Sequence, residues 1–262
     1  MHNPMSMAGR VIMVTGASQG IGLALTAQLL KLGASVAMVD INGEQLDQSH
    51  SGLIASGISE DRLLTYCGDV SDSEFVSQSV DNIVKQLGDL DGLINNAGII
   101  RAAMASEMRI EQWKQVIDVN LTGAFVCLQA VGQHLIEKAK NGCSNPGSIV
   151  NISSDAGRRG TIGQINYGAA KSGVLGLTMC AAREWGKYNI NVNSVCYGMV
   201  ETSMTETIRQ DKFRDKYLSQ IPLARFSSTE EVAPATCFLL TDAAAYITGQ
   251  HLSIDGGFYI SS

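Results

Sequence analysis

The chain lacks the composition breaks that usually separate domains. It has four prolines in 262 residues, and no serine-rich linker, block of like charge or internal repeat divides it. A chain of this length forms one α/β domain or, less often, two. We therefore expect a single domain over residues 1–262, with a core supplied by the 45% of residues that are hydrophobic.

Basic charge is also scarce. The net charge of −6 argues against nucleic acid as a partner, because phosphates demand a basic face. No apolar run approaches the ~18 residues of a membrane span. The first ten residues lack the charged start and apolar core of a secretory signal, so residues 1–9 are expected to be a disordered leader.

The cysteines and histidines are too scattered to form a framework. None of the six cysteines is in a C-x-x-C pair, which disfavours disulfides and metal sites and fits a reducing cytoplasm. The four histidines share no ligand spacing, so no metal site is expected. The cysteines are residues 67, 127, 143, 180, 196 and 237, and the histidines are residues 2, 50, 134 and 251.

Short apolar runs alternate with helical patterns along the whole chain. This alternation predicts an α/β fold: a doubly wound parallel sheet of about seven strands with helices on both faces. Ligands of such sheets bind at the carboxyl ends of the strands. The runs are 11–14, 35–39, 63–66, 92–94, 147–152, 190–195 and 251–254.

The first predicted strand leads into a glycine-rich turn. Residues 15–22 read Thr-Gly-Ala-Ser-Gln-Gly-Ile-Gly and precede a helical pattern. Glycines let the backbone approach a pyrophosphate, and the helix that follows offers unpaired N–H groups to it. The second strand ends in Asp40, where a carboxylate can accept hydrogen bonds from a ribose diol. The alternative is a plain turn followed by a solvent-facing acid.

A second motif joins three polar groups. Tyr167 and Lys171 are one helical turn apart, and Ser154 precedes the tyrosine by thirteen residues. A cation on the same helix face would favour the phenolate, and a hydroxyl from a strand end could hold a reacting oxygen. Tyr-x-x-x-Lys alone also occurs by chance on surface helices. Of the adjacent serines, Ser154 is assigned to the site and Ser153 to local backbone groups, since neighbours on a strand face opposite ways.

Taken together and in this order, the motifs resemble those of the short-chain dehydrogenase/reductase family. Within it, the chain is most similar to 3-oxoacyl-thioester reductases and their secondary-alcohol dehydrogenase relatives. The matching residues are Thr15 to Gly22, Asp69-Val70, Asn95 to Gly98, Asn120, Ser154, Tyr167, Lys171 and Gly256-Gly257.

The resemblance implies a Rossmann fold and a set of roles. Asn120, Ser154, Tyr167 and Lys171 would be catalytic, with Asn120 holding a relay water. Ser154, Tyr167, Gln164 and Tyr197 would contact the substrate. The cofactor would contact Gly16, Ser18, Gln19, Gly20, Ile21, Gly22, Asp40, Asp69, Val70, Asn96, Ala97, Gly98, Tyr167, Lys171, Val200 and Thr202.

Asp40 guides the choice of cofactor. Its charge would repel a 2′-phosphate, and neither Gln19 nor Ile41 supplies a compensating cation, so we expect NAD(H) rather than NADP(H). The expected reaction is hydride exchange between this cofactor and a ketone or secondary alcohol, with Tyr167 as general acid/base. The alternative is a catalytically silent dinucleotide-binding regulatory or scaffold protein.

Two departures from the family pattern affect the substrate and the partners. Tyr197 stands where proline is usual, and we expect its ring either to shape the pocket or to have no consequence. Reductases that act on an acyl carrier protein usually expose arginines beside the entrance to the active site. Here Tyr188 occupies one such place, and the insertion over 138–146 carries only two lysines, so docking of an acyl carrier protein is left open. The polar stretch 199–223 is predicted to be a substrate lid, and the resemblance implies a homotetramer in the cytoplasm.

Overall fold

The computed structural model describes residues 3–260. Seven strands form one sheet in the order β3-β2-β1-β4-β5-β6-β7, and every neighbouring pair is parallel. The strands are β1 (Val11–Thr15), β2 (Ser35–Asp40), β3 (Leu63–Cys67), β4 (Gly92–Asn95), β5 (Gly147–Ser154), β6 (Ile190–Tyr197) and β7 (His251–Ile254). The predicted fold class is confirmed.

Ten α-helices accompany the strands in the described part of the chain. Most lie between strands, as the right-handed crossovers of a parallel sheet require. They are α1 (Gly20–Lys31), α2 (Gly43–Ala55), α3 (Ser73–Leu87), α4 (Ile110–Ile117), α5 (Ala124–Lys140), α6 (Ala156–Arg159), α7 (Ile165–Trp185), α8 (Glu206–Arg209), α9 (Asp211–Leu218) and α10 (Thr229–Phe238).

The sheet is buried on both faces because its strands are apolar at successive positions. In β1, Ile12 and Val14 pack beneath α1 and α10, whereas Val11 and Met13 pack beneath α3, α5 and α7. Side chains alternate across a strand, so a continuous apolar run supplies both layers of core. This explains why β1 carries no polar side chain before Thr15.

One stretch, residues 110–140, is long and apolar enough to cross a membrane by length and composition alone. A π-helical turn over Asp118–Gly123 divides it into α4 and α5. Val116, Val131 and Leu135 on this stretch are fully buried within the protein. Such burial is typical of a core helix that covers a sheet.

The prediction of a disordered leader over 1–9 is wrong for residues 3–9. Met7 is buried, and its N–H donates to Leu32 O over 2.9 Å. The carbonyl of Pro4 accepts a hydrogen bond from Ala243 N over 3.0 Å. The segment is therefore ordered by contacts with distant parts of the chain. Residues 1 and 2 of the predicted leader lie outside the described residues.

Candidate active site

The glycine-rich turn lies between the end of β1 and the start of α1. Gly16 has φ +63°, a conformation that favours glycine. A Cβ on Gly22 would lie 2.0 Å from Gly16 O, so the turn can close only with glycine at this position. No side chain caps the start of α1, which leaves its first N–H groups for a ligand.

The loop after β4 forms the second wall and is held to the turn by Thr15. The Thr15 hydroxyl accepts hydrogen bonds from the N–H groups of Asn96 and Ala97, each over 3.0 Å. The Asn96 amide donates in return to the carbonyls of Thr15 and Gly16, also over 3.0 Å. Thr15 thus fixes the spacing of the two walls, a role that the motif alone did not assign.

These walls enclose a cavity of about 700 Å³ at the carboxyl ends of β1, β2 and β4. The sequence-predicted residues that line it are Gly16, Gln19, Gly20, Ile21, Gly22, Asp40, Asp69, Val70, Asn96, Ala97, Gly98 and Thr202. The lining residues that the motifs did not identify are Ile41, Asn42, Gly68, Ser71, Ile99, Arg101, Gln115, Asp118, Val119, Ser203 and Met204. Most of these additional lining residues are next to a motif residue in the sequence, and this adjacency could have been used to predict them.

Ser18 lies behind the lining of the cavity. Its hydroxyl is buried and has no hydrogen-bond partner among the described residues. A buried hydroxyl without a partner is costly, so it indicates a missing polar ligand. Together with the glycine cradle, Ser18 makes this end of the sheet fit a dinucleotide phosphate.

The Asp40 carboxylate holds backbone groups at the edge of the cavity. One oxygen accepts a hydrogen bond from Ser18 N and the other from Asn42 N, each over 3.0 Å. Asp40 therefore fixes the turn that contains Ser18 and the start of the loop after β2. This local structural role explains the acid without reference to the identity of the cofactor.

A second polar cluster lies where α7 meets the end of β5. The Tyr167 hydroxyl is hydrogen-bonded to Ser154, and Lys171 Nζ lies 5.7 Å from the centroid of the Tyr167 ring. Lys171 is buried and donates to Ile152 O over 2.8 Å. Ser153 instead donates to Lys171 O over 2.8 Å. The three predicted groups are thus adjacent, and the ammonium points into the protein.

Burial governs ionisation in this cluster. It raises the pKa of Tyr167 to about 12, an effect that the hydrogen bond from Ser154 only partly offsets. It lowers the pKa of Lys171 to about 8. That Lys171 favours the phenolate stays a prediction, since burial sets the net shift of the Tyr167 pKa. At neutral pH the phenol keeps its proton, the state from which it can donate one to a carbonyl oxygen.

Asn120 lies in the π-helical turn between α4 and α5. Its side-chain oxygen accepts from Ile99 N over 2.8 Å, and its amide donates to Ile99 O over 3.0 Å. A Cβ added to Gly98 would lie 3.5 Å from both Asn120 Oδ1 and Lys171 Nζ. Turns of this type are often found at functional sites. Here the turn brings Asn120 beside Lys171 and the wall of the cavity.

The other residues predicted to contact the cofactor or the substrate differ in how deeply they are buried. Thr202 approaches the cradle, since a Cβ on Gly20 would be 3.6 Å from Thr202 Cγ2. Val200 is buried, and it pairs with Ser227 in an isolated bridge. Gln164 is half-buried at the start of α7 and pairs with Ala103.

The prediction that Tyr197 contacts the substrate is wrong. The ring is buried in the core layer formed with α1 and α10, and its hydroxyl shares a 2.6 Å hydrogen bond with Thr236. Val195 and Tyr197 belong to the same layer because residues two apart on a strand share a face. The ring therefore packs beneath α10.

We expect the substitution Tyr197→Phe to reduce stability without changing substrate recognition. The phenylalanine keeps the packing but removes the hydrogen bond between Tyr197 and Thr236, which costs about 1 kcal/mol, while Thr236 still donates to Val232 O. Urea unfolding measures the first effect and the KM of the carbonyl substrate the second. A changed KM at unchanged stability would restore the pocket role that the structure contradicts.

Comparison with known proteins shows which proteins the chain resembles. Residues 16–259 match the family model described as enoyl-(acyl carrier protein) reductase. The 3-oxoacyl-(acyl-carrier-protein) reductase FabG of Thermotoga maritima is 42% identical over 98% of this chain and 100% of its own length. The corresponding reductase of Synechocystis is 38% identical over 96% of this chain and 98% of its own length. A putative short-chain alcohol dehydrogenase from Sinorhizobium meliloti has a solved structure with TM-score 0.90 and 34% identity, covering 98% of each chain.

The comparisons overturn the expected preference for NAD(H) over NADP(H). The reductases similar to this chain are NADPH-dependent. The prediction relied on the charge of Asp40 and on the lack of a cation at Gln19 and Ile41. In the structure both carboxylate oxygens of Asp40 accept backbone hydrogen bonds, so the residue is explained by the fold and does not by itself report the cofactor.

Sequence, fold and relatives agree on the reaction class. The chain is an oxidoreductase that acts on CH–OH and C=O groups, and the comparisons give no support to a silent regulatory or scaffold protein. The matches extend over nearly the whole chain, and the structural neighbour has the same sheet of parallel strands. The protein therefore belongs to the short-chain dehydrogenase/reductase family.

Proposed function

We propose that the protein reduces the 3-oxo group of a 3-oxoacyl thioester to a hydroxyl group, with NADPH as the reductant, in the cytoplasm. One observation carries this proposal: a protonated phenol, a serine hydroxyl and a buried ammonium meet beside a dinucleotide-sized cavity. The names of the similar reductases favour the thioester over other ketones.

When bound, the nicotinamide cofactor is the hydride source for the carbonyl carbon. Tyr167 donates its proton to the carbonyl oxygen, and the raised pKa of its hydroxyl keeps that proton available at neutral pH. Ser154 donates a hydrogen bond to the same oxygen as negative charge develops, a contribution of about 3 kcal/mol in comparable sites. Lys171 provides positive charge next to the phenol as its proton leaves.

Asn120 is proposed to support proton return to Tyr167 through a water. One of its two amide hydrogens and one oxygen lone pair are already used on Ile99. The remaining hydrogen and lone pair are free to hold that water. Its position beside Lys171 at the wall formed by Gly98 supports the role.

Residues 199–223 are proposed to cover the bound substrate. The stretch contains α8 and α9, and it includes Thr202, Ser203 and Met204, which line the cavity. Arg209 donates to Thr202 O over 3.0 Å, so α8 is tied to the cavity wall. Movement of this stretch would open and close the site at its substrate end.

A homotetramer is proposed from the exposed apolar side chains of three elements. Phe125 on α5 and Met179 on α7 are 43% and 45% exposed. Leu252 is 37% exposed on β7, which forms one edge of the sheet. Exposed apolar side chains on helix faces and on an edge strand favour burial between subunits. An acyl carrier protein is the proposed donor of the substrate.

The direct test is reduction of an acetoacetyl thioester with NADPH. The reaction is monitored as the loss of absorbance of the reduced cofactor. We expect turnover of about 1–10³ s⁻¹. A crotonyl thioester is the matched control, because it has a double bond in place of the 3-oxo group, and we expect no reduction of it. Turnover confined to secondary alcohols, or equal rates with the crotonyl thioester, would contradict the proposed substrate.

A further inference from the structure

The residue that follows Ser154 is a buried acid to which the proposed mechanism gives no role. Asp155 is 3% exposed, and neither of its carboxyl oxygens has a hydrogen-bond partner among the described residues. An ionised carboxylate without partners in such a position is strongly disfavoured. Asp155 therefore needs a proton or a neighbour that carries one.

The strand register brings that neighbour close. Ser154 pairs with Tyr197 and Tyr197 with Ile254, so the next row across β5, β6 and β7 is Asp155, Gly198 and Asp255. A Cβ on Gly198 would lie 2.7 Å from Asp255 Cβ. Because the middle position has no side chain, the two carboxyl groups can approach each other across it. Asp155 N donates to Tyr197 O over 3.1 Å and Gly198 N donates to Ile254 O over 3.2 Å, so these two bonds continue the row beyond the strand ends.

The surrounding groups assign the proton to Asp155. Asp255 already accepts hydrogen bonds from Gly257 N and Tyr259 N, each over 2.9 Å. The other charged or titratable groups that face the pair are Arg158 and Arg159 on α6, the Cys196 thiol on β6 and, through Arg158, His251 on β7. The arginines are engaged elsewhere: Arg158 donates to Ser253 Oγ and His251 O, and Arg159 lies 3.6 Å over the Phe258 ring.

Asp255 begins the C-terminal segment, residues 255–260, which supports the end of the proposed lid. A Cβ on Gly256 would lie 2.9 Å from Ile221 Cγ2, and a Cβ on Gly257 would lie 2.8 Å from Pro222 Cγ. Phe258 is buried against Ile221. The segment therefore contacts the proposed lid on one side and the turn after Ser154 on the other.

We propose that Asp155 is a positioning residue: as a neutral acid that shares its proton with Asp255, it holds the turn carrying Ser154 against the C-terminal segment. Loss of the proton places two negative carboxylates across Gly198, and their repulsion separates the turn from the segment. Ser154 and the end of the lid then lose their common support. The effect of this loss is on the carbonyl substrate and leaves the dinucleotide cradle unchanged.

The direction of the pH effect follows from burial. Burial, with the charge of Asp255 added, raises the pKa of Asp155 to about 7, while Arg159 and Arg158 act in the opposite direction. The ordinary pKa of an aspartate is about 3.9. The folded state thus holds a proton that the unfolded chain has already lost, so stability falls as pH rises from about 4 and the loss is complete above about 7.

The activity test compares the wild type with Asp155→Asn, a neutral amide of the same shape. Both are assayed with acetoacetyl thioester and NADPH from pH 5.5 to 9. We expect the ratio of their kcat/KM values to be constant at low pH and to fall above pH 7, by up to about tenfold per pH unit. The KM of the thioester carries the change and the KM of NADPH does not. The ionisations of Tyr167 and Lys171 affect the pH profiles of both proteins equally, so they cancel in the ratio. A ratio that is flat over the whole pH range would overturn the proposal.

The activity readout rests on the proposed function, so a second readout is independent of it. Urea midpoints of the wild type should fall relative to Asp155→Asn between pH 5 and 7, even if no substrate is turned over. If the urea midpoints of the two proteins change in parallel with pH, the proposal is wrong. If Asp155→Asn does not fold, Asp255→Asn replaces it. The new amide at position 255 can donate to ionised Asp155, so the pH-dependent loss of stability and activity is expected to disappear in this variant too. If that loss persists, the shared proton is contradicted.

Discussion

Turnover of the carbonyl substrate is expected to fall by at least about 10³-fold in Tyr167→Phe, while NADPH still binds. The phenylalanine fills the same space and keeps the packing of α7, but it has no proton to give. Ser154 loses its contact with the phenol but keeps the hydrogen bond from Ala156 N, and the oxygen of the substrate loses its proton donor. Stopped-flow absorbance measures turnover, and quenching of protein fluorescence on titration with NADPH measures binding.

Ser154→Ala is the companion variant. It leaves the tyrosine and its proton in place but removes the second hydrogen bond to the reacting oxygen, so a smaller loss of about 10²-fold is expected. If Tyr167→Phe retained a rate near that of the wild type, the proton would have to come from another group. The proposed mechanism would then fail while the family assignment stood.

Loss of dinucleotide binding is expected for Gly22→Ala. The added Cβ would lie 2.0 Å from Gly16 O and 2.7 Å from Asn96 Nδ2, so the glycine turn and the β4 loop must separate. The N–H groups at the start of α1 then no longer converge on one anion. Calorimetric titration with NADPH should reveal a loss of affinity of at least about 100-fold, since overpacking of this kind costs about 1–3 kcal/mol and the lost phosphate contacts add to it.

Gly52→Ala is the matched control. Gly52 lies within α2, and a Cβ there would meet nothing within 4 Å. Alanine in a helix interior is more favourable than glycine by about 1 kcal/mol, so this variant should be slightly more stable and should bind NADPH as the wild type does. Equal binding by both alanine variants would show that the cradle does not hold the cofactor.

Much of the fold could be predicted because its signals are local. Each predicted strand corresponds to an observed one, and most are extended by one or two residues at the carboxyl end, as in β5, which continues through Ser154. A continuous apolar run is visible in the sequence wherever a strand is buried on both faces. Most motif residues are visible for the same reason, since they follow these strands directly, whereas Asn120, Tyr167 and Lys171 lie on helical elements.

The errors arose where tertiary contacts decide the outcome. Nothing near Tyr197 in the sequence indicates that Thr236 will meet its hydroxyl beneath α10. The π-helical turn at Asn120 divides the apolar stretch over residues 110–140 into α4 and α5, where the sequence pattern alone indicates one continuous helix. The pKa of Tyr167 depends on how deeply the fold buries its hydroxyl, and this cannot be derived from the spacing to Lys171. No motif near Asp155 marks it in the sequence, because its partner Asp255 lies a hundred residues further along the chain.

The ordered start of the chain has a practical consequence for handling the protein. Met7 is buried in the core layer that α1 helps to form, so removing residues 3–7 would leave a void there. Removing a buried methionine side chain typically costs 2–5 kcal/mol, about as much as many whole domains can tolerate. An affinity tag is better fused ahead of residue 1 through a flexible spacer than substituted for the opening residues.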